Sequence, residues 1–274
     1  MGREWVEQLE ERKREEAMFH DLDRAHDPAR KPGAANRRFY AATAPVEAYV
    51  SEWTRRHVEG KVFLDYACGN GRNAIRAAQQ GAALAIGIDI SEVSVENARR
   101  AAAEAAVADR CLFLQRDCED TGLPAGAIDV CVCSSMLHHL DLDRAYPELA
   151  RILAPDGRIL GHEALAYNPL IQLYRALTPQ LRTAWETQHI LSLGDVRKAR
   201  RWFRVGTVRY FLMTAPVATL LPDGAIRRVG LGIAHRIDVV LTRLPLLNRL
   251  SWQFTFELIN GERAASRAHG EVTP

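Results

Sequence analysis

The chain carries almost no net charge, contains no long apolar run, and has cysteines only between positions 68 and 133. Lys and Arg number 36 against 34 Asp and Glu, a balance of +2. So small a total does not indicate a nucleic-acid binder, and local clusters of charge matter more. No stretch reaches the roughly 18 uncharged apolar residues of a membrane-spanning helix. The amino-terminal MGREWVEQLEERKREE puts charges where a secretory signal has its apolar core, so the expected location is cytoplasmic. Cys68, Cys111, Cys118, Cys131 and Cys133 leave the flanking regions without partners for a disulfide framework, and they read as reduced, mostly buried thiols. Cys131 and Cys133 form a lone CxC with no second pair at zinc spacing, so no metal site is expected. Internal repeats and low-complexity tracts are also missing.

What is present is ample apolar content, 47% of 274 residues, enough for the core of one main domain. Residues 1–60 read as an amino-terminal helical lid or appendage. An amphipathic stretch carrying Trp5, Val6, Leu9, Met18, Phe19 and Leu22 is followed by the loop HDPARKPGAAN, then by a second helix from Pro45 to His57. From Lys61, short apolar runs alternate with helical segments: KVFLDYA, NAIRAAQQ, ALAIGID, VSVENARRAAAEAAV, RCLFLQRD and AIDVCVCSS. Strands separated by helices pair in parallel through crossovers, which makes this an α/β fold. A helix at DRAYPELARIL and a strand at GRILGHEA, parted by Pro155, Asp156 and Gly157, bring the sheet to five strands in an order that periodicity does not reveal.

After Ala164 the alternation stops. Residues 165–200 read as an insertion that shapes a substrate pocket. RWFRVGTVRYFLM (201–213) and WQFTFELI (252–259) are candidate late strands, rich in aromatic and β-branched residues. Within the basic and apolar region 217–250, GAIRRVGLGIAHRIDVVLTRL is helical in pattern despite Gly230 and Gly232, with Pro245 placed to end it. The main domain spans 61–260, and 261–274 is a polar tail.

The chemistry concentrates in VFLDYACGNG and the helix RNAIRAAQQ that follows. Gly69 and Gly71 allow a tight turn and close approach of a ligand to the backbone, and the helix amino terminus offers unpaired N–H groups. Gly69, Gly71 and Ala74 equally match the looser dinucleotide pattern, so the turn alone does not choose between a nicotinamide cofactor and S-adenosylmethionine. Asp65 favours the second on grounds of sign, because it would repel a pyrophosphate and attract an ammonium and a sulfonium. Alternatively, Asp65 only ties down the loop by hydrogen bonds. Asp89, ending ALAIGID, is positioned to accept from ribose hydroxyls; its other reading is a helix N-cap, a place Ser91 can fill instead. Asp117, with the Cys118 backbone, suits an adenine edge, or is simply a favoured loop residue.

The motifs LDYACGNG, GIDIS, LQRDCEDTGLP, AIDVCVCSSMLHHL and ELARILAPDGRIL, in this order from Lys61 to Ala164, resemble the class I S-adenosylmethionine-dependent methyltransferases, in particular the group that includes quinone-biosynthesis and natural-product enzymes. The resemblance implies a Rossmann-like, seven-stranded, mostly parallel sheet flanked by helices, with an antiparallel last strand. It implies that Asp65, Ala67, Gly69 and Gly71 surround the methionine part of the cofactor, with Asn70 in the same turn. Asp89 and Ile90 would meet the ribose and adenine, Asp117 and Cys118 the adenine, and Ser134 the methionyl side. Ala67 stands where the family usually has its first glycine, a small-for-small change compatible with cofactor binding.

Methyl transfer from a sulfonium needs alignment and exclusion of water more than it needs indispensable side chains. For a hydroxyl acceptor, His138, His139, His162 or Glu163 could serve as base, although a His-His pair at this place is widespread in the resembled group among enzymes with different acceptors. Tyr40, Met136 and Arg182 are the candidate substrate contacts. The arginine-rich, apolar carboxy-terminal third admits an anionic, lipid-like acceptor, a peripheral membrane contact, a solvated face, or the interface of a homo-oligomer. The expected function is methylation of a small apolar or amphipathic molecule: a natural product, isoprenoid, quinone or glycolipid. Two rival readings are an NAD(P)-dependent oxidoreductase and a non-catalytic regulatory subunit that binds S-adenosylmethionine.

Overall fold

The computed structural model describes residues 3–25, 41–178, 183, 185–186 and 189–261. Seven strands form one sheet in the order β3-β2-β1-β4-β5-β7-β6: β1 (Val62–Tyr66), β2 (Leu84–Asp89), β3 (Cys111–Gln115), β4 (Ile128–Ser134), β5 (Leu153–Ala164), β6 (Arg204–Phe211) and β7 (Gln253–Ile259). The first five run parallel, and β7 inserts antiparallel between β5 and β6. Strand order reverses between β1 and β4, and in such sheets ligands bind outside the carboxyl ends of the strands at this switch point.

Helices form because apolar residues recur at helical spacing between these strands. The described ones are α1 (Arg3–Glu7), α2 (Glu11–Ala25), α3 (Ala44–His57), α4 (Arg72–Gln79), α5 (Glu92–Glu104), α6 (Leu142–Ile152), α7 (Pro169–Leu177), α8 (Leu193–Lys198), α9 (Ala215–Ala218) and α10 (Ala225–Leu241). Alternation along the strands sends Leu64, Tyr66, Cys131, Cys133 and Ile159 to one face, against Tyr146, Leu149 and Ile152 of α6. It sends Phe63, Val130, Val132 and Leu160 to the other, against α3, α4 and α5. All five cysteines are free thiols, and the CxC pair is simply two residues on one buried strand face.

The expected late strands are present and antiparallel, and the helix expected before Pro245 ends at Leu241. Pro155, Asp156 and Gly157 interrupt the β4–β5 register inside β5, with Asp156 at φ 60. Within the expected 1–60 lid the two halves differ. Helix α3 belongs to the helical layer: Val50 and Trp53 are buried with Phe63 and Leu160, and the Trp53 indole donates to Glu257 at 2.6 Å. Helix α2 instead lies across the carboxyl ends of the strands.

Candidate functional site

The turn after β1 is shaped by backbone conformation. Gly69 and Gly71 take φ of 52 and 77, and Ala67 takes 56, a left-handed conformation that costs an alanine about 1 kcal/mol more than a glycine. A Cβ on Gly71 would lie 2.8 Å from both Ala98 and Phe113, so only glycine fits there. Asp65 is 1% exposed and accepts from the Asn73 side chain and the Ala74 N–H, each at 3.2 Å. Burial pushes its carboxyl up to about 7 against the pull of those bonds, and Asp89 adds to the rise. Asp65 therefore ties the turn to the first turn of α4 and, among the described residues, is not part of the cavity wall.

The wall of the cavity, about 130 Å³, is built from the ends of β1 to β4: Ala67, then Asp89 and Ile90, then Asp117 and Cys118, then Ser134 to Met136. Asp89 Oδ2 accepts from Gly69 N at 2.8 Å and Oδ1 from Ser91 N at 2.9 Å. Ser91, not Asp89, caps α5, accepting from Ser94 N at 3.0 Å. Asp117 Oδ1 accepts from Glu119 N at 2.8 Å, and the Cys118 carbonyl accepts from the Tyr66 hydroxyl. Gly69, Asn70 and Gly71 lie outside this wall: the Arg24 guanidinium sits 3.4 Å from where a Gly69 Cβ would be.

Of the four candidate bases, only His139 lines the cavity. Glu163, fully buried, accepts from Met136 N and Leu137 N at 2.8 and 2.6 Å and pairs with His138 Nδ1 at 2.7 Å. Burial works against the Glu163 charge, but the charge and hydrogen bond of His138, with the two N–H donors, hold its carboxyl below the usual range. His162 is fixed between Ser134 Oγ at 3.0 Å and Gln253 Oε1 at 3.3 Å, and burial pushes its ring down. Glu163, His138 and His162 thus hold the segment from Ser134 to His139 in shape. Tyr40 and Arg182 lie outside the described residues.

The cations facing the site come from α2, within the expected lid, on the side opposite the apolar positions that mark the helix in the sequence. Lys13 Nζ reaches Asp117 at 2.6 Å and Glu119 at 2.8 Å. Burial opposes its charge, yet these carboxylates hold the ammonium above its ordinary value. Arg24 stands 3.7 Å from Asp89 and donates to Ser94 Oγ. Glu16 accepts from Thr183 Oγ1 at 2.5 Å and meets His139 Nδ1 at 3.0 Å. Burial works against a charged His139, but Glu16 outweighs it and raises the ring above its ordinary value, while burial and Arg24 push His20 down to about 4. Lys13, Glu16, His20 and Arg24 also line the cavity. The only sequence sign of them was the polar side of an amphipathic helix, which looks the same whether it faces water or a site.

The residues present fit an adenosyl-sulfur cofactor. Carboxylates end the second and third strands, an open glycine turn follows the first, and the acids are matched to positive charge that α2 now supplies. The cavity of about 130 Å³ is smaller than the roughly 300 Å³ of a small-molecule site, and the side chains that narrow it from one side, Lys13, Glu16, His20 and Arg24, all belong to α2.

Comparison with known proteins points the same way. Residues 63–157 match the family model described as "Methyltransferase domain". Over 112 residues the chain is 38% identical to 27-O-demethylrifamycin SV methyltransferase of Amycolatopsis mediterranei, covering 40% of this chain and 41% of that protein. Over 132 residues it is 33% identical to ribosomal protein L11 methyltransferase of Pasteurella multocida, covering 47% and 42%. The chain thus spans about two fifths of the length of these relatives. In fold it is similar to geranyl diphosphate C-methyltransferase from Streptomyces coelicolor A3(2), solved with Mg2+, geranyl diphosphate and S-adenosyl-L-homocysteine, with a TM-score of 0.62, 16% identity, and 92% and 98% of the two chains covered. Residues 63–157, which supply every strand-end side of the cavity from Ala67 to Leu140, are the part of this chain that matches a methyltransferase domain.

Proposed function

We propose that the protein is an S-adenosylmethionine-dependent methyltransferase acting on a small apolar or amphipathic acceptor. The observation that carries this reading is the convergence of Asp89, Asp117 and Ser134 on one cavity at the switch point of the sheet, within the stretch that matches a methyltransferase domain. Asp89, oriented by Gly69 N and Ser91 N, has lone pairs left for ribose hydroxyls. Asp117 and the Cys118 backbone meet the adenine, and Ala67, Ser134 and the glycine turn border the methionine part once Arg24 withdraws from Gly69. The cofactor supplies a methyl group already activated by its sulfonium; the protein aligns the acceptor with it and excludes water.

His139 is the proposed base for a hydroxyl acceptor, because it faces the cavity while His138, His162 and Glu163 are engaged in holding the strand-end segment. Pairing with Glu16 raises its ring above the ordinary value, so a shift of α2 that parts the pair would lower the ring toward the range in which an imidazole accepts a proton. Met136 borders the acceptor, with Tyr40 and Arg182 as further contacts. A natural product, isoprenoid, quinone or glycolipid fits an acceptor of this kind, as the names of the rifamycin and geranyl diphosphate relatives suggest. The test is transfer of tritiated methyl from S-adenosylmethionine to a panel of hydroxylated polyketides, prenyl diphosphates and quinols. Label in any extracted product supports the reading. Tight cofactor binding with no transfer to any of them would favour a regulatory subunit.

A further inference from the structure

Helix α10 is pinned along one side only. Asp238, buried, accepts from Met213 N, Thr214 N and Ala215 N at 3.1, 2.7 and 3.2 Å. One turn and three turns earlier, Ala234 packs with Ala42, Val46, Leu212 and Ala215, and buried Arg227 donates to the Leu221 carbonyl at 2.9 and 2.7 Å. These contacts fix the rotation of the helix. They leave Ile226, Val229, Ile233, Ile237 and Val240 turned outward, with Val229 62% and Val240 60% exposed. At 3.6 residues per turn, these five side chains fall within about 80° of the helix circumference, so they make a continuous stripe rather than scattered apolar positions.

Exposed leucines also flank the helix in sequence. Leu220 precedes it, and Leu244, Leu246, Leu247 and Leu250 follow it, all exposed. At that end Asn168 Nδ2 donates to the Leu250 carbonyl, joining the start of α7, whose Leu170, Leu173 and Leu177 are exposed as well. Exposed large apolar side chains concentrated on two helices and the segment after one of them, rather than scattered singly, mark an interaction surface. Its charge is one-sided. Arg228, Arg236, Arg243 and Arg249 are exposed in 217–250, whereas the two acids of that stretch are Asp238, buried under the helix, and Asp223, paired with Arg227.

We propose that this surface rests on a lipid bilayer with anionic headgroups, the apolar stripe entering the interface and the arginines meeting phosphates. Outward leucine, isoleucine and valine beside unopposed arginine is the pattern of a helix that lies in the interface plane. Among the described residues no helix is long and apolar enough to cross a membrane, and α10 carries Arg227, Arg228, Arg236 and Asp238 along its length. A second copy fits less well, because two-fold pairing of one patch with itself would bring arginine against arginine without acids between them. The position suits the assignment. Strand β6 ends at Phe211 beside Gln253, which itself pairs with Ala164 at the end of β5, so α10 is attached at the edge of the sheet that also carries the cofactor residues. The proposal does not depend on methyl transfer.

Sedimentation of the full chain with vesicles tests it. The expected result is strong binding to phosphatidylcholine mixed equally with phosphatidylglycerol, weak binding to phosphatidylcholine alone, and loss of the difference at high salt. Arg228→Ala and Arg236→Ala should each weaken binding to the anionic vesicles about five-fold. Val229→Asp with Ile233→Asp should abolish it while leaving the thermal unfolding curve in place, since both side chains are exposed. Failure to bind either vesicle overturns the proposal, as does binding that the aspartate pair leaves unchanged. A concentration-dependent dimer that Val229→Asp converts to monomer would assign the patch to a second copy instead.

Discussion

The guanidinium of Arg24 stands 3.7 Å from the carboxylate of Asp89 and covers Gly69, so a cation from the amino-terminal helix holds the place where the ribose is proposed to bind. Lys13 does the same at Asp117, 2.6 Å away. The acids at the ends of β2 and β3 are thereby paired from within the chain, and a ligand that uses them competes with these two cations.

The first prediction comes from this competition. Arg24→Ala and Lys13→Ala remove a rival for the acids without touching the strand ends; the first should tighten binding of S-adenosylhomocysteine by about five-fold, the scale of one partly exposed ion pair, and the second by more, because the Lys13–Asp117 pair is buried. Calorimetric titration checks it. Weaker binding in both variants would show that these cations are part of the cofactor site rather than competitors for it.

Asp65 should leave a mark on stability against pH. Its folded carboxyl is raised from 3.8 to about 7, so the folded state holds a proton that the unfolded state has already released. The stabilising contribution is complete below about pH 3.8 and is lost as pH rises through about 7. Asp65→Asn does not titrate, so urea unfolding at a series of pH values should show the variant gaining on the native protein by up to a few kcal/mol across that window. A constant difference would mean that the buried carboxylate is already ionised at low pH.

Glu16 raises the His139 ring above its ordinary value against the effect of burial. Glu16→Gln removes the negative charge and should bring the His139 titration down, with burial then opposed only by Glu186 and Glu163. The ring protons in an NMR titration give the answer directly. An unchanged midpoint would place the cause of the raised value in Glu163 or Glu186 instead.

Glu163 is predicted to matter more for the fold than for proton transfer. Glu163→Ala would leave the Met136 and Leu137 N–H groups buried without an acceptor, a loss of about 3 kcal/mol. Glu163→Gln keeps an acceptor for both and should recover most of that stability. If the two variants unfold alike at native-like denaturant concentrations while methyl transfer disappears, Glu163 acts on the substrate rather than on the segment.

How much of this was readable beforehand varies along the chain. From Lys61 to Ala164 each strand is a buried apolar run and each helix a separate periodic pattern, so local sequence and final structure agree, and the late antiparallel pair showed itself through Tyr210, Phe211, Phe254 and Phe256. The placement of β7 between β5 and β6 was not readable, because strand order is decided by packing between distant segments. Asp89 and Asp117 stood out by their position after apolar strands and Ser134 through the resemblance alone, and all three line the cavity. The role of Asp65 was ambiguous because a carboxylate beside a glycine turn can face a ligand or accept from the following helix, and here Asn73 and Ala74 take it. Lys13, Glu16, His20 and Arg24 could not be found, since the partners of Lys13, Glu16 and Arg24 lie some 65 to 167 residues away in sequence, and nothing in an amphipathic pattern says what its polar face meets.

The central claim is that the cavity bordered by Asp89 and Asp117 is built for an adenosyl-sulfur cofactor. Calorimetric titration of the native protein and of Asp89→Ala with S-adenosylhomocysteine, and separately with NAD and NADP, tests it most directly. The account predicts binding of S-adenosylhomocysteine that the variant weakens by about 1 to 3 kcal/mol, and no heat with either dinucleotide. Saturable binding of NAD or NADP, with none of S-adenosylhomocysteine, would contradict it.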